Sequence, residues 1–391
     1  MLDTRTARAG AADGAGPGEA PYGAGDAAAA VNGVLAEHLA ARLVEAGEVD
    51  GLFAQEVAGR VAEFVERGGK RLRTAFLWCG WRAAGGSGSS RTVFRVAAAL
   101  ELLQACALVH DDLMDGSPVR RGAPAVHTDF AGAHRAGRMK GSPDAYGTAA
   151  AVLTGDLALA WADDLLTDTA LGSPHGRQLH REWQAMRTEM VAGQYRDIHA
   201  QAVGSSGMDE AVTVATLKSA LYTVARPLAL GASLAGAAPG ALDALRSAGR
   251  CAGLAFQLRD DLLGAFGNPA VTGKPAGEDL RGRKLTYLLA VATELAAAAH
   301  DEDAVDALRP DAAGPGTAAR SDEAIGRMRA ALERTGARAV VEARIAELAA
   351  MSVSQFGATG ADQHVRREFA SLVERAVGTA PEQDGESVWK P

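Results

Sequence analysis

The chain reads as all-α. Three observations predict this: apolar residues recur at helical spacing through most of the 391 residues, glycine- and proline-rich breakers separate those stretches, and no convincing run of alternating apolar and polar residues marks a strand. Composition agrees. Hydrophobic residues make up 48% of the chain, led by Ala and Leu, and aromatics only 5%, which suits helices packed closely through small side chains.

The elements follow in order. Met1 to Ala30 is Ala/Gly-rich, lacks the apolar core of a signal peptide and is expected to be a disordered leader. Helices are then predicted over Val31–Glu45 and Gly51–Arg67, the second stopped by Gly68-Gly69, and over Arg71–Ala84, stopped by Gly85-Gly86-Ser87-Gly88. Thr92–Asp115 is the most apolar and ends at Gly116-Ser117-Pro118. Ala131–Ala145 reads as a surface loop. Gly147–Thr167 and Ser173–Ala202 come next, closed by Gly204-Ser205-Ser206-Gly207, then Asp209–Leu221, Ala225–Ala237 and Gly240–Gly264, closed by Gly267-Asn268-Pro269. Leu280–Ala299, Ser321–Thr335, Arg338–Phe356 and Asp362–Val377 complete the series, with a loop at Pro310–Ala319 and a disordered acidic tail over 379–391. No second composition block interrupts 31–378, which is expected to be one domain.

Charge and cysteine usage narrow the function classes. The net charge is −8, and Lys and Arg gather around motifs instead of forming a basic face, which argues against nucleic acid as a partner. Cys79, Cys106 and Cys251 lie in apolar helical stretches without CxxC spacing, the pattern of buried thiols in a reducing compartment. No uninterrupted apolar run reaches about eighteen residues, so no membrane span is expected and the protein should be cytoplasmic.

The most informative feature is a pair of aspartate clusters, Asp111-Asp112-Leu113-Met114-Asp115 and Asp260-Asp261-Leu262-Leu263. Residues four apart share a helix face, so Asp111 and Asp115 present two carboxylates to one side. That is unfavourable unless cations are supplied. Hard oxygen ligands at this spacing suit Mg²⁺, which usually binds through one or two carboxylates plus substrate phosphates. An EF-hand reading of Asp111 to Gly122 fails, because Leu113 and Gly122 occupy its third and twelfth positions. Basic residues stand close by: Gly68-Gly69-Lys70-Arg71-Leu72-Arg73 upstream, Arg120-Arg121-Gly122 just after the first cluster, and Gly273-Lys274 with Lys284 after the second. Cations near acids imply shared anions, and guanidinium groups grip phosphate oxygens bidentately.

With these motifs the chain resembles the trans-isoprenyl diphosphate synthase (polyprenyl synthetase) family, in particular its short-chain geranylgeranyl and farnesyl diphosphate synthases. GGKRLR at Gly68–Arg73, HDDLMDGSPVRRG at His110–Gly122, GD at Gly155-Asp156, GQYRD at Gly193–Asp197, KS at Lys218-Ser219, FQLRDDLLG at Phe256–Gly264 and GK at Gly273-Lys274 stand in the family's order. The resemblance implies the isoprenoid synthase fold, a bundle of ten or more helices with the two Asp-rich helices facing across a central cavity. It further implies that Asp111, Asp115 and Asp260 ligate Mg²⁺, three ions when substrate is bound, with Asp112 and Asp261 in support. Arg120, Lys218 and Lys274 are implied contacts of an allylic diphosphate (dimethylallyl, geranyl or farnesyl). Lys70, Arg73, Gln104 and Arg121 are implied contacts of isopentenyl diphosphate. Gln257 shares a helix face with Asp260 and Asp261, and Ser219 stands where the family often has Thr.

Two departures stand out: Thr74 replaces a proline, and Gly264 replaces a third aspartate of the second cluster. The implied activity is head-to-tail condensation of isopentenyl diphosphate with the allylic substrate, releasing pyrophosphate. The alternatives are farnesyl diphosphate synthesis, a class I terpene cyclase and an inactive regulatory subunit. Product length is expected to follow from side chains one turn and more before Asp111. Ala107 and Cys106 are small there, Leu103 and Leu100 are the next bulky ones, and geranylgeranyl diphosphate is the expected main product. The family's homodimer habit, with Thr92–Asp115 apolar on more than one face, points to a second copy against that helix.

Overall fold

The computed structural model describes residues 24–267, 277–282, 284–309 and 322–378. The leader up to residue 23, the predicted loop at Pro310–Ala319 and the tail over 379–391 lie outside these. Among the described residues, fifteen helices carry the fold. They are α1 (Ala24–Val49), α2 (51–66, with a π-helical turn at Ala54–Ala58), α3 (Leu72–Ala83), α4 (Ser90–Met114), α5 (Val126–Ala136), α6 (Pro143–Leu171), α7 (Gly176–Val203), α8 (208–234), α9 (Pro239–Phe266), α10 (Glu278–Arg281), α11 (Tyr287–Ala298), α12 (Glu302–Leu308), α13 (Asp322–Arg334), α14 (Ala337–Gly357) and α15 (Gln363–Val377). Side-chain caps fix several starts: Asp50 accepts from Phe53 N at 2.7 Å, and Asp362 from Val365 N at 2.9 Å.

α4 is the central helix, walled by α1, α3 and α6, with Ala97–Ala99, Leu100, Leu102 and Leu103 inaccessible to solvent. It alone among the described residues is long and apolar enough to cross a bilayer, and 72% of its most apolar window is buried inside the protein. A soluble core helix meets the same criterion. Small residues set how closely its neighbours pack. α3 and α8 cross at glycines on both sides: a Cβ on Gly80 would overlap the Leu228 carbonyl, and one on Gly231 would overlap that of Leu77.

Several elements differ from the sequence reading. α1 starts at Ala24, so residues 24–30, expected in the leader, are helical. The expected loop over Ala131–Ala145 shrinks to 137–142, because Phe130, Ala131 and His134 bury one face of α5 against α6. The two helices expected over Asp209–Leu221 and Ala225–Ala237 are one, carried through by a π-helical stretch at Thr216–Ala225. Leu280–Ala299 is instead broken, leaving 284–286 outside any helix between α10 and α11, and α12 was not foreseen. A two-stranded hairpin, β1 (Val119–Arg120) with β2 (Ala123–Pro124), follows α4.

Candidate active site

The first aspartate cluster closes α4. Asp115 N donates to Asp111 O at 2.8 Å, which preserves the one-turn spacing of the two carboxylates past the helix end. The hairpin then turns through Arg121 (φ 52) and Gly122 (φ 73), the positive-φ pair of a type I′ turn. Holding a non-glycine residue there costs on the order of 1 kcal/mol. Arg120 ends the strand and Arg121 sits in the turn at positive φ, and the two side chains leave in different directions. Arg120 reaches the cluster: Nε donates to Asp112 Oδ1 at 2.8 Å and Nη2 to Asp111 Oδ2 at 3.4 Å. Arg121 goes the other way, donating through Nη1 to the Gly68 carbonyl. A Cβ on Gly69 would lie 2.7 Å from its Nη2, so the paired glycines make room for the second arginine.

Two lysines complete the acidic end. Lys218 Nζ, on the π-helical stretch of α8, donates to Asp111 Oδ1 at 3.0 Å and Asp197 Oδ2 at 2.6 Å, and Gln194 Nε2 donates to the same Asp111 oxygen at 3.2 Å. α7 comes this near because Gly193 has no side chain; a Cβ there would sit 2.7 Å from Lys218 Cα. Lys284 Nζ donates to Asp115 Oδ2 at 2.6 Å. Burial opposes the charge on both lysines, but the facing carboxylates outweigh it and raise both above the ordinary lysine value. Burial also works against ionised Asp111, where Lys218, Lys284 and Arg120 prevail and hold it below the usual carboxylate range.

On α9, Asp260 is exposed while Asp261 is buried and accepts from Gln257 Nε2 at 2.8 Å. Burial pushes Asp261 well above the usual carboxylate range despite that bond, and Asp279 and Asp260 add to the rise. The charge of Asp279 is also felt by Lys284, so the α10–α11 link ties the end of α4 to the end of α9.

A second cluster contains arginines with little to balance them. Arg71, at φ 46, ion-pairs with Glu101 at 2.6 Å, and Thr74 Oγ1 donates to the same carboxylate at 3.3 Å. The departure at Thr74 thus adds a tie between α3 and α4. Arg73 stacks over the Tyr222 ring at 4.3 Å and donates to Thr223 Oγ1 at 3.2 Å. Burial lowers Arg121 from its usual value, Glu101 resists, and Arg71, Arg120 and Arg73 lower it further. Arg73 Nε and Gln104 Oε1 are buried without a hydrogen-bond partner. A buried orphan guanidinium N–H such as Arg73 Nε, beside a surplus of positive charge, is what an anion site looks like before its anion is bound.

A family model for polyprenyl synthetases matches residues 55–320. The chain belongs to the polyprenyl synthetase family. A geranylgeranyl pyrophosphate synthase structure from Corynebacterium glutamicum, complexed with isoprenyl diphosphate and magnesium, superposes with a TM-score of 0.85 at 38% identity, covering 91% of this chain and 99% of that one. Among curated relatives, the (2E,6E)-farnesyl diphosphate synthase of Mycobacterium tuberculosis is 38% identical over 219 residues, 56% of this chain and 55% of the relative. A geranylgeranyl diphosphate synthase of the same organism is 35% identical over 237 residues, 59% and 62% of the two chains. The match thus spans little more than half the length of the first of these relatives.

In this polyprenyl synthetase, Asp111, Asp112, Asp115, Arg120 and Lys218 converge directly, and Lys284 links them to the Asp260–Asp261 end of α9. Ser219 is half-buried beside Lys218, and Lys70 is exposed just before α3. Lys274 lies outside the described residues. His110 packs against α6, its Nε2 3.2 Å from the Val152 carbonyl. Lys284 was singled out in the sequence only as a cation near the second cluster, with no role assigned because the sequence places it inside a helix, whereas the break before α11 frees it; Asp279 was missed. Tyr222 was also missed, and lies four residues beyond Lys218 on α8.

The donors at the acidic end fit a hard divalent cation: they are carboxylate oxygens, already drawing ammonium and guanidinium groups. Among the described residues no three Asp, Glu, His or Cys side chains form a closed metal cage. Mg²⁺ here would complete its shell with water and phosphate oxygens, its usual habit. The cavity lined by Trp81, Ser89, Val93 and His175 lies at the opposite end of α4 and contains none of these groups.

Proposed function

We propose that the chain is a Mg²⁺-dependent trans-prenyltransferase that condenses isopentenyl diphosphate head-to-tail with an allylic diphosphate, giving mainly geranylgeranyl diphosphate and pyrophosphate. One observation carries this reading: two anion sites of different character lie side by side, one built of carboxylates with lysines, the other of guanidinium groups that, among the described residues, Glu101 balances. A reaction between two diphosphates, of which only one ionises, requires that asymmetry.

Asp111, Asp115 and Asp260 would hold Mg²⁺, three ions once substrate is bound, with Asp112 and Asp261 in support. The metal supplies positive charge that makes the allylic diphosphate a leaving group. Arg120, Lys218, Lys284 and Lys274 contribute charge-assisted hydrogen bonds to the same oxygens, and Gln257 and Ser219 line the reacting end. Lys70, Arg73, Gln104 and Arg121 hold the diphosphate of isopentenyl diphosphate, whose oxygens satisfy the orphan Arg73 Nε. The allylic C–O bond breaks, the isopentenyl double bond attacks the cation, and a proton passes to the released pyrophosphate.

The test is incubation of the purified protein with Mg²⁺, isopentenyl diphosphate and farnesyl diphosphate, then identification of the alcohol after phosphatase treatment. Geranylgeraniol is expected; no prenyl alcohol from any allylic substrate would overturn the reading. Ala107 shares the Asp111 line of α4 and is half-buried, with buried Leu103 one turn deeper, which supports a floor at Leu103. Cys106 is turned toward the α6 seam, its Sγ 3.7 Å from His110 Nδ1. Ala107→Phe should shorten the main product by at least one isoprene unit; an unchanged distribution would mean a different floor. Farnesyl diphosphate is the second reading, favoured by the relative of that name. The enzyme is placed in the cytoplasm, a reading supported by three free cysteines, and is expected to be a homodimer.

A further inference from the structure

The second aspartate cluster ends in Gly264, at the position where the family pattern implies a third aspartate. The space is not empty. A Cβ on residue 264 would overlap Asp279 Oδ2 and lie 3.2 Å from its Cγ. The carboxylate of Asp279 therefore occupies the volume that a side chain at 264 would enter. The backbone is built to keep it there: Gly277 N donates to Gly264 O at 2.9 Å, tying the chain to the last turns of α9, and Lys284 N donates to Asp279 O at 3.0 Å. The segment that presents Asp279 thus leads directly to Lys284, whose ammonium reaches Asp115 across the site.

We propose that Asp279 supplies the missing third carboxylate of the second cluster, delivered from α10 instead of from α9, and that it positions the Mg²⁺ shell on the Asp260 side. Gly264 is then required, since any side chain there would displace Asp279. This rests on the function proposed above and goes one step beyond it. As a positioning residue for a metal shell, Asp279 should change metal affinity by about ten- to a hundredfold when its charge is removed, the range for groups that orient a metal's ligands.

The experiment measures the Mg²⁺ concentration at which inorganic pyrophosphate half-maximally raises the thermal midpoint of the full chain, a readout independent of turnover. Asp279→Asn, of the same shape, should raise that concentration at least tenfold while the midpoint without Mg²⁺ stays close to that of the unaltered protein. Asp279→Gly should do the same. Gly264→Asp combined with Asp279→Gly returns the carboxylate to α9 and should recover most of the loss. A Mg²⁺ requirement within twofold in Asp279→Asn would overturn the proposal. So would an increase that the double variant does not reverse, since that marks a role in local folding alone. If the unaltered protein gains no Mg²⁺-dependent stability from pyrophosphate, the prenyltransferase reading itself fails.

Discussion

Arg73 is held without being satisfied. Its guanidinium is stacked on Tyr222 and bonded to the Thr223 hydroxyl, yet Nε is buried with no acceptor. A diphosphate oxygen would end that deficit, and one or two charge-assisted bonds are worth about 1.5–3 kcal/mol each. Arg73→Ala should therefore raise KM for isopentenyl diphosphate by about ten- to a hundredfold and leave that of the allylic substrate nearly unchanged. Steady-state kinetics in both substrates check this, and equal effects would count against two separate anion sites. Asp111→Ala and Asp260→Ala should each lower turnover by several orders of magnitude while circular dichroism stays helical, since each removes a proposed direct metal ligand. Away from the site, burial together with Arg42 and Arg95 lowers His38 from 6.5 to about 4. The unfolded chain takes up that proton at the higher value, so the stability owed to neutral His38 is present above pH 6.5 and is lost as pH falls toward 4. His38→Gln should show a smaller fall in urea midpoint between pH 7 and pH 4.5 than the unaltered chain; identical falls would show that His38 is not the sensor.

At the level of elements, glycine decides the α3–α8 crossing. Gly80→Ala or Gly231→Ala places a methyl against backbone carbonyls that cannot move alone, and overpacking of this kind costs roughly 1–3 kcal/mol or more. Gly33→Ala, in open space on α1, should instead stabilise by about 0.5–1 kcal/mol. Chemical denaturation of the three variants separates the predictions. The same contrast explains what was legible in the sequence. Apolar periodicity marked α7 and α9 because each alternates a buried stripe with polar residues over many turns, and α4 stood out as a long apolar stretch buried on several faces. It missed α5, whose short, Gly- and His-bearing stretch becomes helical through burial against α6. It split α8, because a π-helical stretch shifts the phase on which periodicity depends. The aspartate and arginine motifs were legible as chemistry, since their charges make little sense apart from an anion. Asp279 was not, because nothing in the sequence says that a residue after the second cluster folds back onto Gly264.

For the whole molecule, the open question of assembly turns on which surface remains apolar. The sequence pointed to the helix now seen as α4, but α1, α3 and α6 already cover it within one subunit. The exposed apolar side chains gather instead on α6 and α7. Asp163 of α6 meets Trp183 and Arg187 of α7, which fixes the antiparallel register of the two helices. Ten residues back along α6, that register brings Val152 and Leu153 level with Val191 and Tyr195 on α7, and Leu153 and Tyr195 are 59% and 66% exposed. A contiguous patch of this kind on adjacent helices suits a second copy related by twofold symmetry, in which the same residues meet themselves. The expected state is a homodimer at micromolar concentration in sedimentation velocity. Leu153→Glu with Tyr195→Glu should shift it to monomer while leaving the helical circular dichroism unchanged, because neither side chain contributes to the buried core. A monomer in the unaltered protein would remove the dimer; a dimer that survives both substitutions would move the interface to another face.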